Sequence, residues 1–297
     1  MIIVADSGST KTAWAFCPDS ANEGNKALQD DAWVEKVCEG LNPHFTTDNQ
    51  YLELGNWLRK SMKELGWKEG IESVAIYFYG AGCGTLEKQQ YVEKLLFRAL
   101  PEAGKVTVAG DLLGACRALY GSSTGIVGIL GTGSNACYYN GESIVNQVFS
   151  TGYLLGDEGS GNHIGRRLLK SYLTLQMPPS LRDAFLNEYE MSNAAFLDQI
   201  YRKPNPNRFL ASLAPFALKH KDEPFIEKLL GDVFEAYICE MVLPVTPKED
   251  VQCELRIVGG IAAHFGHEIE IAAKKHGIAL TTTLERPLDQ LVKFHQC

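Results

Sequence analysis

The chain has no Cys-x-x-Cys pair, no apolar run long enough to span a bilayer, no low-complexity stretch and a deficit of positive charge. Each absence removes a class of function. The eight cysteines, at positions 17, 38, 83, 116, 137, 239, 253 and 297, are scattered, so neither a zinc ribbon nor a disulfide framework is expected. They read as reduced thiols, mostly small core residues. The histidines, His163 among them, show no metal-ligand spacing and read as structural or exposed. The first apolar run, Ile2-Ile3-Val4-Ala5, stops at Asp6 and is too short for a signal peptide, so a cytoplasmic protein without a membrane partner is expected. With 28 Lys and Arg against 36 Asp and Glu, the net charge of -8 argues against nucleic-acid or anionic-membrane partners, which demand clustered cations. A small anion held by backbone amides remains open.

The rest is ordinary globular material: 297 residues, 45% apolar and 22% charged. That length exceeds a comfortable single core, so two domains are expected. Within it, Asp6-Ser7-Gly8-Ser9-Thr10-Lys11-Thr12 and Gly131-Thr132-Gly133-Ser134-Asn135 look like two copies of one device. Each comes after an apolar run and precedes another strand-like run, as a hairpin does. Taken singly, such turns are explained by the conformational preferences of Gly, Ser, Asn and Asp. The segments downstream of them also repeat, however. After the first come strand-like Trp33 to Val37, the loop Gly40-Leu41-Asn42-Pro43 and a helix; after the second come Ser143 to Phe149, the loop Gly156-Asp157-Glu158-Gly159-Ser160-Gly161 and a helix. A diverged duplication is the simplest reading, with a ligand cleft expected between the halves and turn amides facing phosphate oxygens.

Two familiar phosphate motifs are excluded. Gly8 to Thr12 ends in Lys-Thr but lacks the second Gly and the trailing helix of a Walker loop. Gly131 to Ala136 approaches the dinucleotide fingerprint, but Cys137-Tyr138-Tyr139-Asn140-Gly141 continues as strand and turn, not as a helix.

Between the motifs the pattern alternates. Tyr51, Leu54, Leu58, Met62 and Leu65 share a helical face, Ser73 to Tyr79 reads as a buried strand, Val92 to Ala99 as a helix and Lys105 to Ala109 as a strand. This predicts a largely parallel sheet extended by an antiparallel opening hairpin. Later, a helix is expected from Pro224 to Pro244, a strand over Leu255 to Val258, a turn at Gly259-Gly260, and one helix carrying Ile261, Phe265, Ile269 and Ala273. A strand from Ile278 to Thr282 and a helix from Pro287 to Phe294 close the pattern, and Arg202 to Asn207 is the nearest thing to a linker.

Four carboxylates could carry chemistry. Asp111 ends a strand and begins a helix, as an N-cap would, yet the carboxyl ends of parallel strands also suit a general base. Asp6, beside the first turn, is either an Asx-turn residue or a holder of Mg²⁺, which would offset its repulsion of phosphate. Asp157 and Glu158 either bind sugar hydroxyls or cap the next helix.

In their order and spacing these segments resemble the N-acetylglucosamine kinase group of the BadF/BadG/BcrA/BcrD ATPase family, within the sugar kinase, actin and Hsp70 superfamily. The resemblance spans essentially the whole chain. It implies an α/β fold of two ribonuclease H-like lobes, residues 1–120 and 121–297, with a final helix at about 286–297 packing back on the first. It implies a homodimer, ATP and Mg²⁺ as cofactors, and an amino-sugar substrate, most simply N-acetylglucosamine converted to its 6-phosphate. By resemblance, Gly8, Ser9, Thr10, Lys11 and Thr12 form the phosphate-1 segment and Gly131, Thr132, Gly133 and Ser134 the phosphate-2 segment. Gly259 and Gly260 form the adenosine motif, Asp111 is the base, and Asp6 holds Mg²⁺ through water. Asn42, Asp111, Ser134, Asn135, Asp157 and Glu158 meet the sugar. The sequence departs from the group at Thr151-Gly152, where many members have Trp-Gly, and at Asn162-His163, where an aromatic pair is common. N-acetylmuramic acid and glucosamine stand as alternative substrates, and a partner-driving ATPase or a sugar sensor as alternative functions. Of the cysteines, Cys83 alone has a setting suited to an iron–sulfur cluster.

Overall fold

Strand alternation and turn chemistry determine the first sheet. The computed structural model describes residues 1–8, 11–18, 33–68, 73–248 and 254–296; Ser9, Thr10, Cys253 and Cys297 lie outside the described residues. β1 (Ile2–Ser7) and β2 (Lys11–Cys17) form the opening hairpin, with Ser7 opposite Thr12. β3 (Val34–Glu39) pairs antiparallel with β2, while β4 (Val74–Gly80) and β5 (Ala103–Gly110) run parallel to β1 on its other side. The order is β3-β2-β1-β4-β5.

Both faces of this sheet are covered, which explains why β1 is apolar nearly throughout. Ile3, Ala5, Trp14, Phe16, Ile76 and Phe78 join one core with Tyr51, Leu58 and Met62 of α1 (Asp48–Glu64) and Val92, Leu95 and Leu96 of α2 (Leu86–Ala99). Thr47 opens α1 as a reciprocal capping box with Gln50. The other face contributes Val4, Ala13, Ala15, Tyr79 and Ala109, which pack with Ala118 of α3 (Asp111–Tyr120) and with Leu288, Leu291 and Val292 of the chain's last helix. Each fully buried large side chain contributes roughly 1.5–3 kcal/mol.

The second sheet repeats the first. β6 (Gly125–Leu130), β7 (Ser134–Tyr139) and β8 (Ile144–Gln147) are antiparallel neighbours, and β9 (Glu254–Val258) and β10 (Ala279–Leu284) continue parallel to β6. The order β10-β9-β6-β7-β8 places hairpin, third strand and two parallel strands as in the first sheet. Between β8 and β9 the chain inserts α4 (Gly152–Leu155), α5 (Gly161–Leu173), α6 (Pro179–Tyr189), α7 (Asn193–Tyr201), α8 (Pro206–Ala211), α9 (Ala214–Lys219) and α10 (Pro224–Tyr237). Phe185, Phe196 and Phe216, all fully buried, hold much of this helical layer together. Of the expected linker at Arg202 to Asn207, residues 202–205 are the short connection between α7 and α8, and Pro206 and Asn207 already open α8.

By contact density the chain divides into one unit of Met1–Gly121 with Pro287–Cys297 and a second of Ser122–Arg286. Two helices differ from the periodicity. The one expected to end at Pro244 leaves α-geometry after Tyr237, widens into a π-helical turn over Ile238–Val242 and tightens into a 3₁₀ turn over Leu243–Val245, where proline supplies no N–H. The helix expected to carry both Ile261 and Ala273 is broken into α11 (Gly260–His264) and α12 (Gly266–Lys275), because Phe265 leaves helical geometry at φ -117° and ψ 26°. Phe265 gains burial against Phe234, ring centroids 5.8 Å apart. α13 (Leu288–Gln296) completes the chain. Among the described residues no helix is long and apolar enough to cross a membrane.

Candidate active site

In the first unit three strand ends lie level. Ser7 pairs with Gly80 across β1 and β4, and Gly80 with Gly110 across β4 and β5. Residues just beyond them, Gly8, Ala81 and Asp111, therefore gather at the carboxyl edge of the parallel strands, where α/β sheets bind ligands. The hairpin is tied to that edge from below. Ser7 Oγ and Thr12 Oγ1 are 2.8 Å apart, Leu41 N–H donates to Ser7 Oγ, Thr12 Oγ1 donates to Glu39 O, and Ala81 N–H donates to Ser7 O. Both hydroxyl residues are fully buried. The Thr12 side chain is thus a brace between Ser7 and the end of β3, and Thr12 is paired along the ladder with Ser7 on one side and Cys38 on the other. Gly8 N–H is likewise used inside the turn, donating to Lys11 O at 3.0 Å, while Lys11 is exposed. Sequence could have identified Ser7: the period-two alternation Ile3, Ala5, Ser7 and Thr12, Trp14, Phe16 puts both hydroxyls on the core face.

Asp111 is the first residue of α3, not its cap. Gly110 occupies the N-cap without a side-chain bond, and the Asp111 carboxylate accepts the N–H of Leu112 at 2.9 Å. Burial pushes the carboxyl above its ordinary value, opposed by backbone N–H bonds from Leu112 and from Asp111 itself. Asn42, which is buried, lies against Gly82: its Oδ1 accepts His44 N–H at 3.0 Å, and a Cβ on Gly82 would come within 2.4 Å of that oxygen. Asp6 stands on the opposite sheet face from Ser7, level with Ala13 and Tyr79. Cys83 is buried and its thiol is pushed up to about 12, by burial first and by the Asp111 charge second. Such a thiol is held in its protonated form at neutral pH.

The second unit rebuilds the same edge. Gly131 N–H closes the turn onto Gly133 O at 3.0 Å; the amides of Thr132 and Gly133 take no part in that bond. The Asp157 loop grips this turn. Asp157 Oδ1 accepts Ser134 N–H at 3.2 Å and Oδ2 accepts Asn162 Nδ2 at 2.8 Å, while Asn162 Nδ2 also donates to Thr132 O at 2.9 Å. Gly161 and Asn162 donate their backbone N–H groups to Gly131 O and Thr132 O. A Cβ on Gly133 would stand 2.9 Å from the Asp157 carboxylate, so any larger residue there would push that carboxylate off its bond to Ser134 N–H. Asp157 sits in the left-handed region at φ 59°. It does not cap α5, because Ser160 is the N-cap, accepting His163 N–H. Each Asp157 oxygen retains lone pairs for a sugar hydroxyl.

Two buried acceptors beside this loop, Ser134 Oγ and Asn162 Oδ1, have no hydrogen-bond partner among the described residues, as expected where a ligand completes the network. Asn135 turns its Oδ1 back to Ala136 N–H and offers its carbonyl to Tyr237 Oη at 3.2 Å. Burial raises the Glu158 carboxyl, with the Glu240 and Asp157 charges acting in the same direction. His163 accepts Gly159 N–H through Nδ1, and burial, then Arg166 and Arg167, hold it down to about 4. It is therefore a neutral acceptor that fixes the loop.

Gly259 comes directly after β9 and meets the same turn. Val258 pairs with Ile129 of β6 and Leu284 of β10, and Gly259 N–H donates to Leu284 O. Gly131, Gly133, Gly259 and Gly260 thus border one edge of the second sheet, with little side chain to keep a flat ligand away.

Asn162 stands out in the sequence only as a departure from a family pattern; its role emerges from the fold. Asn162→Ala strips the donor from a carboxylate oxygen and a carbonyl in a buried setting, so a loss of about 2 kcal/mol is expected. Thermal melts of the variant against Asn162→Asp, which adds a second negative charge beside Asp157 and should melt lower still, check this.

No family profile and no curated protein matches the chain. Solved structures do. One from Porphyromonas gingivalis, provisionally described as an N-acetylglucosamine kinase, aligns at a TM-score of 0.86 and 37% identity over 99% of this chain and 98% of that one. A protein from Chromobacterium violaceum with the same provisional description aligns at 0.72 and 19% identity, covering 99% and 98%. A ROK family glucokinase from Streptomyces griseus, solved with glucose and AMPPNP, shares the fold at 0.59 and 12% identity over 99% and 98%. The near-complete alignment at 37% identity and the twice-built sheet mean that this chain belongs to the same family as the Porphyromonas gingivalis protein, a family of ATP-dependent sugar kinases with the actin-like fold.

Proposed function

We propose that the chain transfers the γ-phosphoryl group of ATP to an amino sugar, N-acetylglucosamine before N-acetylmuramic acid or glucosamine, forming the 6-phosphate. The observation that carries this reading is the Asp111 carboxylate, held at the carboxyl edge of parallel strands by Leu112 N–H with its proton affinity raised by burial. The choice of sugar rests on the provisional description of the Porphyromonas gingivalis relative and on the sequence resemblance to the N-acetylglucosamine kinase group.

In this mechanism Asp111 takes the proton of the sugar hydroxyl as its oxygen bonds to the γ-phosphorus, and the bond to the β–γ bridging oxygen breaks with ADP as leaving group. Asn42 and Asp157 orient sugar hydroxyls, Ser134 Oγ supplies an acceptor or donor on the ligand, and Asn135 and Glu158 border the sugar. Thr132, Gly133 and the Gly8 to Thr12 turn face phosphate oxygens, and Gly259 and Gly260 face the adenosine. Asp6 presents the hard carboxylate donor that Mg²⁺ prefers; the ion would neutralise charge on the β- and γ-phosphates. Positioning and electrostatic preorganisation do most of the work in phosphoryl transfer.

The test is ADP release with Mg²⁺ and ATP against N-acetylglucosamine, N-acetylmuramic acid, glucosamine and glucose, with product mass measured. Fastest turnover is expected on N-acetylglucosamine with a gain of one phosphoryl group. Preference for glucose over every amino sugar would reject the substrate assignment, and no stimulation by any sugar would reject the reaction.

A further inference from the structure

In the second unit, three different donor atoms converge. Glu235 belongs to α10, Cys239 to the π-helical turn after it, and His276 caps α12. Their ligand atoms all lie within 4.8 Å of one another. His276 Nε2 is 2.5 Å from Glu235 Oε1 and 3.6 Å from Cys239 Sγ, and Cys239 Sγ is 3.9 Å from Glu235 Oε1. We infer that Glu235, Cys239 and His276 form a zinc site outside the catalytic machinery.

Geometry and donor chemistry support it together. A tetrahedral zinc ion with Zn–S of about 2.3 Å and Zn–N or Zn–O of about 2.0 Å has S···N and S···O edges of roughly 3.5 Å and an N···O edge of roughly 3.3 Å. The sulfur edges are already close to that size, and only the hydrogen-bonded N···O edge must open, by somewhat under ~1 Å. Lys275 Nζ holds Glu235 Oε2 at 2.9 Å, which leaves Oε1 as a single-oxygen ligand and fixes the carboxylate's orientation, as outer partners of metal ligands do. Thiolate, imidazole and carboxylate together suit zinc and disfavour Mg²⁺ or Ca²⁺, which take oxygen ligands. Two anionic ligands balance the ion's charge, and the exposure of Cys239 leaves a fourth position for water. The widened π turn contributes the ligand; such turns recur at functional positions. Bound zinc would clamp the end of α10 to the end of α12. Sequence spacing conceals the site, because His276 is far from the other two along the chain.

Cobalt(II), added to the full chain kept reduced and freed of metal by a chelator, should give the visible bands of tetrahedral cobalt and a near-ultraviolet thiolate charge-transfer band, saturating at about one equivalent and bleached by zinc. Cys239→Ser should lose the charge-transfer band, and His276→Ala should weaken zinc binding at least about 100-fold in competition with a chromogenic chelator, beyond what loss of a supporting partner alone produces. Zinc should also raise the melting temperature of the native chain and leave that of Cys239→Ser unchanged. No charge-transfer band at millimolar cobalt, or an equal band in Cys239→Ser, would overturn the assignment. Cys239 is exposed, so its serine variant is expected to fold.

Discussion

Asp111→Asn should lower kcat by roughly 10²–10⁴-fold, the range associated with a lost general base, while leaving the protein folded and nucleotide affinity near native. Asparagine retains the oxygen that accepts Leu112 N–H, so the start of α3 loses no bond; what is lost is the ability to take a proton. The pH dependence makes the assignment sharper. Burial raises the Asp111 carboxyl above the ordinary 3.8, so kcat/KM of the native enzyme should climb along an acid limb centred above that value, and the limb should be missing from the variant's residual activity.

Stability should move the other way. A carboxylic acid whose folded pKa exceeds its unfolded one binds more protons when folded, so its contribution to stability falls as pH rises from the unfolded toward the folded value. Above both, native protein carries the cost of a partly desolvated carboxylate and Asp111→Asn does not. The variant should therefore melt above native protein at pH 8, with the difference shrinking as pH is lowered toward 4. A variant equally active, or one that melts well below native at pH 8, would remove Asp111 from the role proposed.

The parts of this molecule that were legible in the sequence are those set by neighbours along the chain. Both hairpins could be located because small turn residues separate apolar runs, and the repeat of hairpin, strand, loop and helix corresponds to two sheets of one strand order. Strand and helix ends shifted by a residue or two, as at β3, which starts at Val34 and ends at Glu39. The break between α11 and α12 was not legible, because Phe265 on a continuous apolar face reads as helix; its departure is decided by packing against Phe234. Nor was the grip of Asp157 on the Gly131–Gly133 turn, which depends on Asn162 reaching Thr132 O from thirty residues away. Asp111 shows the same limit: the strand–helix junction was correctly located, but whether its carboxylate caps the helix was decided by Gly110 occupying the cap.

Gly259 and Gly260 are adjacent, and substitution should separate their roles. At Gly259 the backbone has φ 130°, and a Cβ would stand 2.1 Å from Leu130 O and 2.6 Å from Leu130 C. Both atoms are backbone of the strand entering the Gly131–Gly133 turn, so no side chain can rotate away. Gly259→Ala combines strain of about 1–3 kcal/mol at a disallowed φ with overpacking of about 1–3 kcal/mol. A loss of roughly 3–5 kcal/mol is expected, and with it a displaced turn and weakened ATP binding. At Gly260 a Cβ meets nothing within 4 Å, and alanine is the better helix former by up to about 1 kcal/mol, so Gly260→Ala should melt no lower than native protein. If the backbone there lies against the nucleotide, the same methyl group should raise the KM for ATP by about tenfold, equivalent to ~1.4 kcal/mol. Thermal melts and ATP titrations on the two variants distinguish a glycine needed by the fold from one needed by the ligand. A Gly260→Ala enzyme with native KM for ATP would withdraw Gly260 from the adenosine site while leaving the structural argument for Gly259 intact.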